Sequence, residues 1–221
     1  MPDIMNPGAQ HIACVLLVDT STSMSGAAID ELNEGLRAFG EALMSDAQAS
    51  GAADVCVINF NTEVTVEVPF SSAVDFVAPT LSAGGLTALN EAIITGLDAI
   101  EQQKATYRQL GVDYYKPWLF LLTDGSATDT EFDADAHQRL AEALANRKVN
   151  FFPMGIGADA DIRALKSYTA NGNGAVLKAE KNHFKEAFVW LSSSMAVPIK
   201  SQVGEKTADL PETPPCMTID L

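Results

Sequence analysis

Short apolar runs alternate with longer amphipathic ones along this chain. Residues 11–18 are almost continuously apolar and stop at Asp19, the pattern of a strand buried on both faces. Residues 54–60 and 118–123 repeat the pattern, and 149–155 does so again before Gly155-Ile156-Gly157. Between these runs, Ile29, Leu32, Leu36, Phe39 and Leu43 recur at helical spacing and predict a helix over 27–47. In the same way Leu89, Ile93, Leu97 and Ile100 predict a helix over 88–106. Ala136, Leu140 and Leu144 predict one over 133–147, and Phe184, Phe188, Leu191 and Met195 a last one over 182–196. A short helix near 160–169 and a weak strand at 175–178 lie between the last two. Residues 63–68 behave differently: Val64, Val66 and Val68 alternate with Glu63, Thr65 and Glu67 after an Asn61-Thr62 turn. That is a half-exposed strand, antiparallel to its predecessor and at or near a sheet edge. Residues 69–87 read as a loop.

Strands alternating with helices imply crossover connections. The fold expected is α/β: an open, mostly parallel central sheet with one antiparallel edge strand and helices on both faces. In such sheets ligands bind outside the carboxyl ends of the strands, so the residues just after Val18, Thr123 and Gly155 are the ones to inspect. Composition changes at Pro198, and Pro211, Pro214 and Pro215 interrupt a polar stretch beyond it. The expected organisation is an arm over 1–10, one domain over 11–197, and a tail over 198–221 that is extended or loosely docked.

Of the 221 residues, 47% are hydrophobic and 19% charged, enough apolar material for one sizeable core. The net charge of −15, from 14 basic and 29 acidic side chains, argues against nucleic acid and anionic membranes as partners. It suits a protein that attracts cations. Cys14, Cys56 and Cys216 fit neither a zinc site nor a disulfide framework. The first residues carry no basic, apolar leader, and no apolar run is long enough to span a bilayer. A cytoplasmic protein is expected, with a monomer as the favoured state.

The first strand runs directly into Asp19-Thr20-Ser21-Thr22-Ser23. One carboxylate and two hydroxyls alternate here, and all are hard oxygen donors. Such donors suit Mg²⁺, with Mn²⁺ or Ca²⁺ as alternatives. Gly84-Gly85-Leu86-Thr87 places a hydroxyl before the second helix, and Thr123-Asp124-Gly125 places a second carboxylate at the end of another core strand. Singly, Ser21, Ser23 or Thr87 could be helix caps and Asp124-Gly125 a turn. Together, Asp19, Ser21, Ser23, Thr87 and Asp124 bring oxygen from three loops to one sheet edge, and they are the candidate metal site.

These three motifs, in this order and spacing, resemble the metal-ion-dependent adhesion site of von Willebrand factor A domains, over roughly residues 10–197. Residues 114–125 and the short tail are most similar to the compact bacterial proteins of the tellurium-resistance type. The resemblance implies a Rossmann-like fold. It implies that Ser21, Ser23 and Thr87 coordinate the ion directly or nearly so, that Asp19 and Asp124 act largely through waters, and that a partner's Glu or Asp completes the shell. Ser25, Gly26, Leu86, Ser126 and Thr128 would form the rim. A kinase or phosphatase of the same stress-response system is the partner class that the subfamily resemblance implies.

Two other readings compete. A Mg²⁺-dependent phosphoester-processing enzyme of the aspartyl type would want a second Asp where Ser21 stands. Neither a Gly-x-Ser-x-Gly elbow nor a P-loop occurs. His11, His137 and His183 are scattered and are assigned no catalytic role. The last reading is a scaffold module whose site goes unused.

Overall fold

The structure is a computed structural model that describes residues 4, 6–158, 160–169, 172, 175–180, 183–200 and 211–220. Seven strands form one sheet: β1 (Ile12–Asp19), β2 (Ala53–Phe60), β3 (Val64–Ser72), β4 (Trp118–Thr123), β5 (Asn150–Ile156), β6 (Val176–Ala179) and β7 (Met217–Asp220). Their order is β3-β2-β1-β4-β5-β6-β7. The pairs β1–β2, β1–β4, β4–β5 and β5–β6 are parallel, whereas β2–β3 and β6–β7 are antiparallel. The chain therefore has the expected α/β fold, with a mostly parallel sheet and the antiparallel edge strand β3.

The tail adds a second antiparallel edge. Residues 217–220 pair with β6, Lys166 Nζ lies 2.5 Å from Asp220, and Trp190 Nε1 donates to the Pro211 carbonyl at 3.0 Å. Only Met217 of β7 is buried, so a hydrophobic pattern has almost nothing to register there. Parts of the expected arm (1–3 and 5), of the tail (201–210 and 221) and the expected start of the last helix (182) lie outside the described residues.

Alternation along each strand divides the core in two. Ile12, Cys14, Leu16 and Val18 face a layer made by α1 (Ala27–Ser45) and α6 (Phe184–Lys200). Val15 and Leu17 face α3 (Leu89–Leu110), α4 (Asp133–Ala145) and α5 (Ile162–Ser167). Gly35 lets α1 and α6 touch, since a Cβ there would meet the Phe188 ring at 2.5 Å.

Several boundaries differ from the pattern. Helix α6 runs to Lys200, past the expected end at 196, and α4 and α5 are shorter than expected. Three further differences have a local reason. The helix expected over 27–47 stops at Ser45, because Asp46 adopts an extended conformation and caps a separate turn, α2 (Ala47–Ser50), by accepting from Gln48 and Ala49 N–H groups. Helix α3 runs on to Leu110 because buried Tyr107 continues its apolar face, and Gly111, with φ +68°, ends it. Strand β3 continues through Pro69 to Ser72, which an edge strand tolerates because its outer face needs no ladder donor.

Candidate metal centre

Strands β1 and β4 are adjacent and parallel, so Asp19 and Thr123-Asp124 emerge side by side at their carboxyl ends. Thr20 anchors this corner: its N–H and Oγ1 donate to the Phe60 carbonyl, at 2.8 and 3.2 Å. The Gly84–Thr87 loop folds over it. Gly84 N donates to the Thr20 carbonyl (2.8 Å), and the Thr22 hydroxyl donates to that of Gly85 (2.8 Å). Gly85 has φ +78°, and a Cβ on it would lie 2.3 Å from Thr62 Oγ1. Only glycine meets both demands.

The five candidates gather here. The Ser21 N–H donates to Asp19 Oδ1 at 2.7 Å, and Thr123 Oγ1 donates to Asp19 Oδ2 at 2.5 Å. The hydroxyls of Ser21 and Ser23 are 2.9 Å apart, and Ser23 Oγ donates to Asp124 Oδ1 at 2.6 Å. Thr87 Oγ1 makes no hydrogen bond among the described residues and lies on the Gly125 side, 3.9 Å from where a Gly125 Cβ would stand. None of the three hydroxyls caps a helix with its side chain. Helix α1 is preceded by Gly26, α3 by Ala88, and Ser21 makes no side-chain cap bond to the 3-10 turn Thr22–Met24.

The electrostatics are unusual. Asp19 is 0% exposed and Asp124 9%, and neither has an ion-pair partner among the described residues. Burial pushes the Asp19 carboxyl above its ordinary range, and the charge of Asp124 pushes the same way. The hydrogen bonds from Ser21 and Thr123 oppose them. Two buried carboxylates without a cation are costly. The segments 20–31, 61–67, 84–91 and 124–135, which surround them, contain no Lys or Arg. Among the described residues no group of three or more His, Cys, Asp or Glu side chains is arranged to hold a metal. The candidate set is instead two carboxylates and three hydroxyls, a donor chemistry that fits a hard divalent cation.

Pattern reading missed several residues that build this corner. Thr123 belonged to the motif but had no role assigned, and it holds the inner oxygen of Asp19. Asn90 and Asp129, both buried, link the second and third loops. The sequence hides the need for Asp129, because Thr87 looks like an adequate cap for a helix starting at 88, whereas the structure puts Ala88 at the N-cap position. A cavity of 710 Å³ lined by Phe152, Leu177, Trp190 and Pro211 shares no residue with the site. Among the described residues no helix is long and apolar enough to cross a membrane.

The model of the von Willebrand factor type A domain matches residues 14–188. Comparison with curated proteins returns no match. Among solved structures the chain is similar to the von Willebrand domain of the type V pilus tip protein Mfa5 from Porphyromonas gingivalis, at 13% identity. There it covers 90% of this chain and 99% of that one, with a TM-score of 0.64. It is also similar to the ArnB paralog VWA2 from Sulfolobus acidocaldarius (18% identity, 84% of this chain and 45% of that one, TM-score 0.55). A D319A mutant of the PilB minor pilin from Streptococcus sanguinis is a further structural relative (13% identity, 86% and 62%, TM-score 0.61). The chain thus spans less than two thirds of the last two proteins. At these identities the structural likeness speaks for the fold, and the family model extends over most of the sequence: the chain belongs to the von Willebrand factor type A domain family.

Proposed function

We propose that this domain binds a protein partner through a divalent cation, Mg²⁺ in the first instance, held by Ser21, Ser23, Thr87, Asp19 and Asp124. The observation that carries the proposal is the pair of buried carboxylates, Asp19 and Asp124, with no cationic side chain paired to them among the described residues. A metal supplies the missing positive charge. With Asp19 and Asp124 acting largely through waters and three neutral hydroxyls nearer the ion, part of that charge remains for an incoming Glu or Asp. The surrounding loops have no Lys or Arg, so without the cation a partner carboxylate meets repulsion alone.

The site is open to the surface. Ser23 is exposed, and Leu86, beside Thr87, is 59% exposed. That suits a protruding partner side chain better than an enclosed small substrate. The family is one of interaction and adhesion modules, and two of the structural relatives are pilus proteins. Ser21 stands where an aspartyl phosphotransferase would need its second Asp, which weighs against the enzyme reading. The domain is read as cytoplasmic. The tellurium-resistance resemblance directs the search for its partner to kinases and phosphatases of such a stress system.

The test is affinity capture with wild-type protein and Asp19→Ala, each with Mg²⁺ and with chelator. A partner retained only by wild type with Mg²⁺ is the expected result. Equal retention under all four conditions would remove the metal-bridged mechanism. Phosphoester turnover that needs Asp19 would replace it with the enzyme reading.

A further inference from the structure

Helix α3 begins two residues after Thr87 and has no cap of its own. Its N-cap position is Ala88, which offers no side-chain acceptor, so the first-turn N–H groups need one from elsewhere. Asp129, five residues after Asp124, supplies it. Its Oδ1 accepts from the Asn90 N–H (3.2 Å) and its Oδ2 from the Glu91 N–H (2.8 Å). The Asn90 side-chain amide also donates to Asp129, to Oδ1 at 3.2 Å and to the carbonyl at 3.1 Å.

Thr128 reinforces the junction. Its hydroxyl accepts from the Thr87 N–H (3.0 Å), and its own N–H donates to the Thr87 carbonyl (2.9 Å). Behind Asn90, the Tyr168 hydroxyl donates to Asn90 Oδ1 at 2.6 Å. Asn90 is 1% exposed, Asp129 8% and Tyr168 6%. This is a buried polar network in which both atoms of the Asn90 amide are engaged, an arrangement that fixes geometry.

We propose that Asp129 is a positioning residue for the metal centre. By capping α3 from the loop that follows β4, it locks the loop bearing Thr87 to the loop bearing Asp124. It thereby sets metal affinity without touching the ion. The negative charge also complements the positive end of the helix, so a carboxylate serves better than an amide. Tyr168 and Asn90 hold Asp129 in register from the α5 side. The inference rests on the metal reading given above.

The experiment is calorimetric titration of the full chain with Mg²⁺ alone, for wild type, Asp129→Ala, Asp129→Asn and Tyr168→Phe, together with the unfolding midpoint of each in chelator. Leu43→Ala, buried at the far end of α1, is the control for plain destabilisation. Asp129→Ala is expected to weaken Mg²⁺ binding about 10- to 100-fold, the range for partners that orient metal ligands. Asp129→Asn, which keeps Oδ1 but turns an amide toward Glu91, falls between, and Tyr168→Phe shows a smaller loss. Leu43→Ala lowers the midpoint and leaves the Mg²⁺ affinity unchanged. If wild type binds Mg²⁺ and the Asp129 variants bind it equally well, or lose no more affinity than Leu43→Ala does, Asp129 has only a structural role and the inference falls. Should Asp129→Ala not fold, Asp129→Asn decides by the same criterion. Failure of wild type to bind Mg²⁺ instead overturns the metal reading itself.

Discussion

Two buried aspartates sit at opposite ends of the same pair of strands. Asp54, near the start of β2, is 3% exposed and has partners on other elements of the protein. The Tyr107 hydroxyl donates to its Oδ2 at 2.5 Å, and His11 Nδ1 lies 2.9 Å from the same oxygen. The His11 and Tyr107 rings lie together, with centroids 5.8 Å apart, and Tyr114 stacks on Tyr107 at 5.3 Å. Burial and the Asp54 charge push the Tyr107 phenol well above its ordinary range, so it stays a donor. Asp19, at the end of β1, is more deeply buried, yet its partners are the Ser21 backbone N–H and the Thr123 hydroxyl, and the charge that acts on it is that of another carboxylate, Asp124. One end of the sheet closes its acid inside the protein. The other leaves an acid with no cationic side chain paired to it among the described residues.

That contrast gives opposite signs on mutation. Asp54→Ala removes the acceptor for Tyr107 and the partner of His11. It should lower stability by about 3–5 kcal/mol, the usual cost of breaking a buried pair, as read by urea denaturation, with Mg²⁺ affinity intact. If Asp54→Ala proves neutral, the closed end of the comparison is wrong. Asp19→Asn should instead leave metal-free protein at least as stable as wild type, because the variant carries no ionisation penalty in the buried site. The same variant should lose most of its Mg²⁺ affinity.

The pH dependence sharpens the difference. In the folded state burial raises the pKa of Asp19 above its ordinary value of 3.8. Between the two values the folded state holds a proton that the unfolded state has released, so stability falls as pH rises. In chelator, wild type should therefore lose stability relative to Asp19→Asn as pH climbs from about the ordinary carboxylate range through the folded pKa. A gap between the two proteins that stays constant over this window would show that Asp19 carries no ionisation penalty. A smaller effect is expected at the Thr87 loop. Gly85→Ala forces a Cβ into Thr62 and a positive φ on alanine, and should cost roughly 1–3 kcal/mol of stability. It should also weaken Mg²⁺ binding, because Thr87 moves with the loop.

The strands that carry the site were legible because they are apolar throughout. Residues 12–18 and 118–122 have no polar position to confuse their period, so the residues that follow them stand out. The three short motifs were legible for the same reason: they begin where the apolar runs stop. What pattern could not reach were contacts made by polar side chains over long separations. Asn90 and Asp129 are 39 residues apart and look like ordinary helix and loop residues. His11 and Asp54 are separated by 43, and each alone reads as a strand-end polar residue. Strand β7 buries one side chain of four and is held by backbone pairing, which leaves no trace in hydrophobicity. The break between α1 and α2 rests on the conformation of Asp46, an acid that a helix surface would accept equally well.

If a divalent cation completes the open end of the sheet, thermal unfolding with and without Mg²⁺ will register it. At about 100 times the dissociation constant, Mg²⁺ should add roughly 2.7 kcal/mol to wild-type stability, a midpoint shift of roughly 5–10 °C for a domain of this size. Asp19→Ala should show no shift, and Asp54→Ala should shift as wild type does from its lower baseline. A wild-type midpoint that ignores Mg²⁺ and Mn²⁺, or an equal shift in Asp19→Ala, would contradict the account.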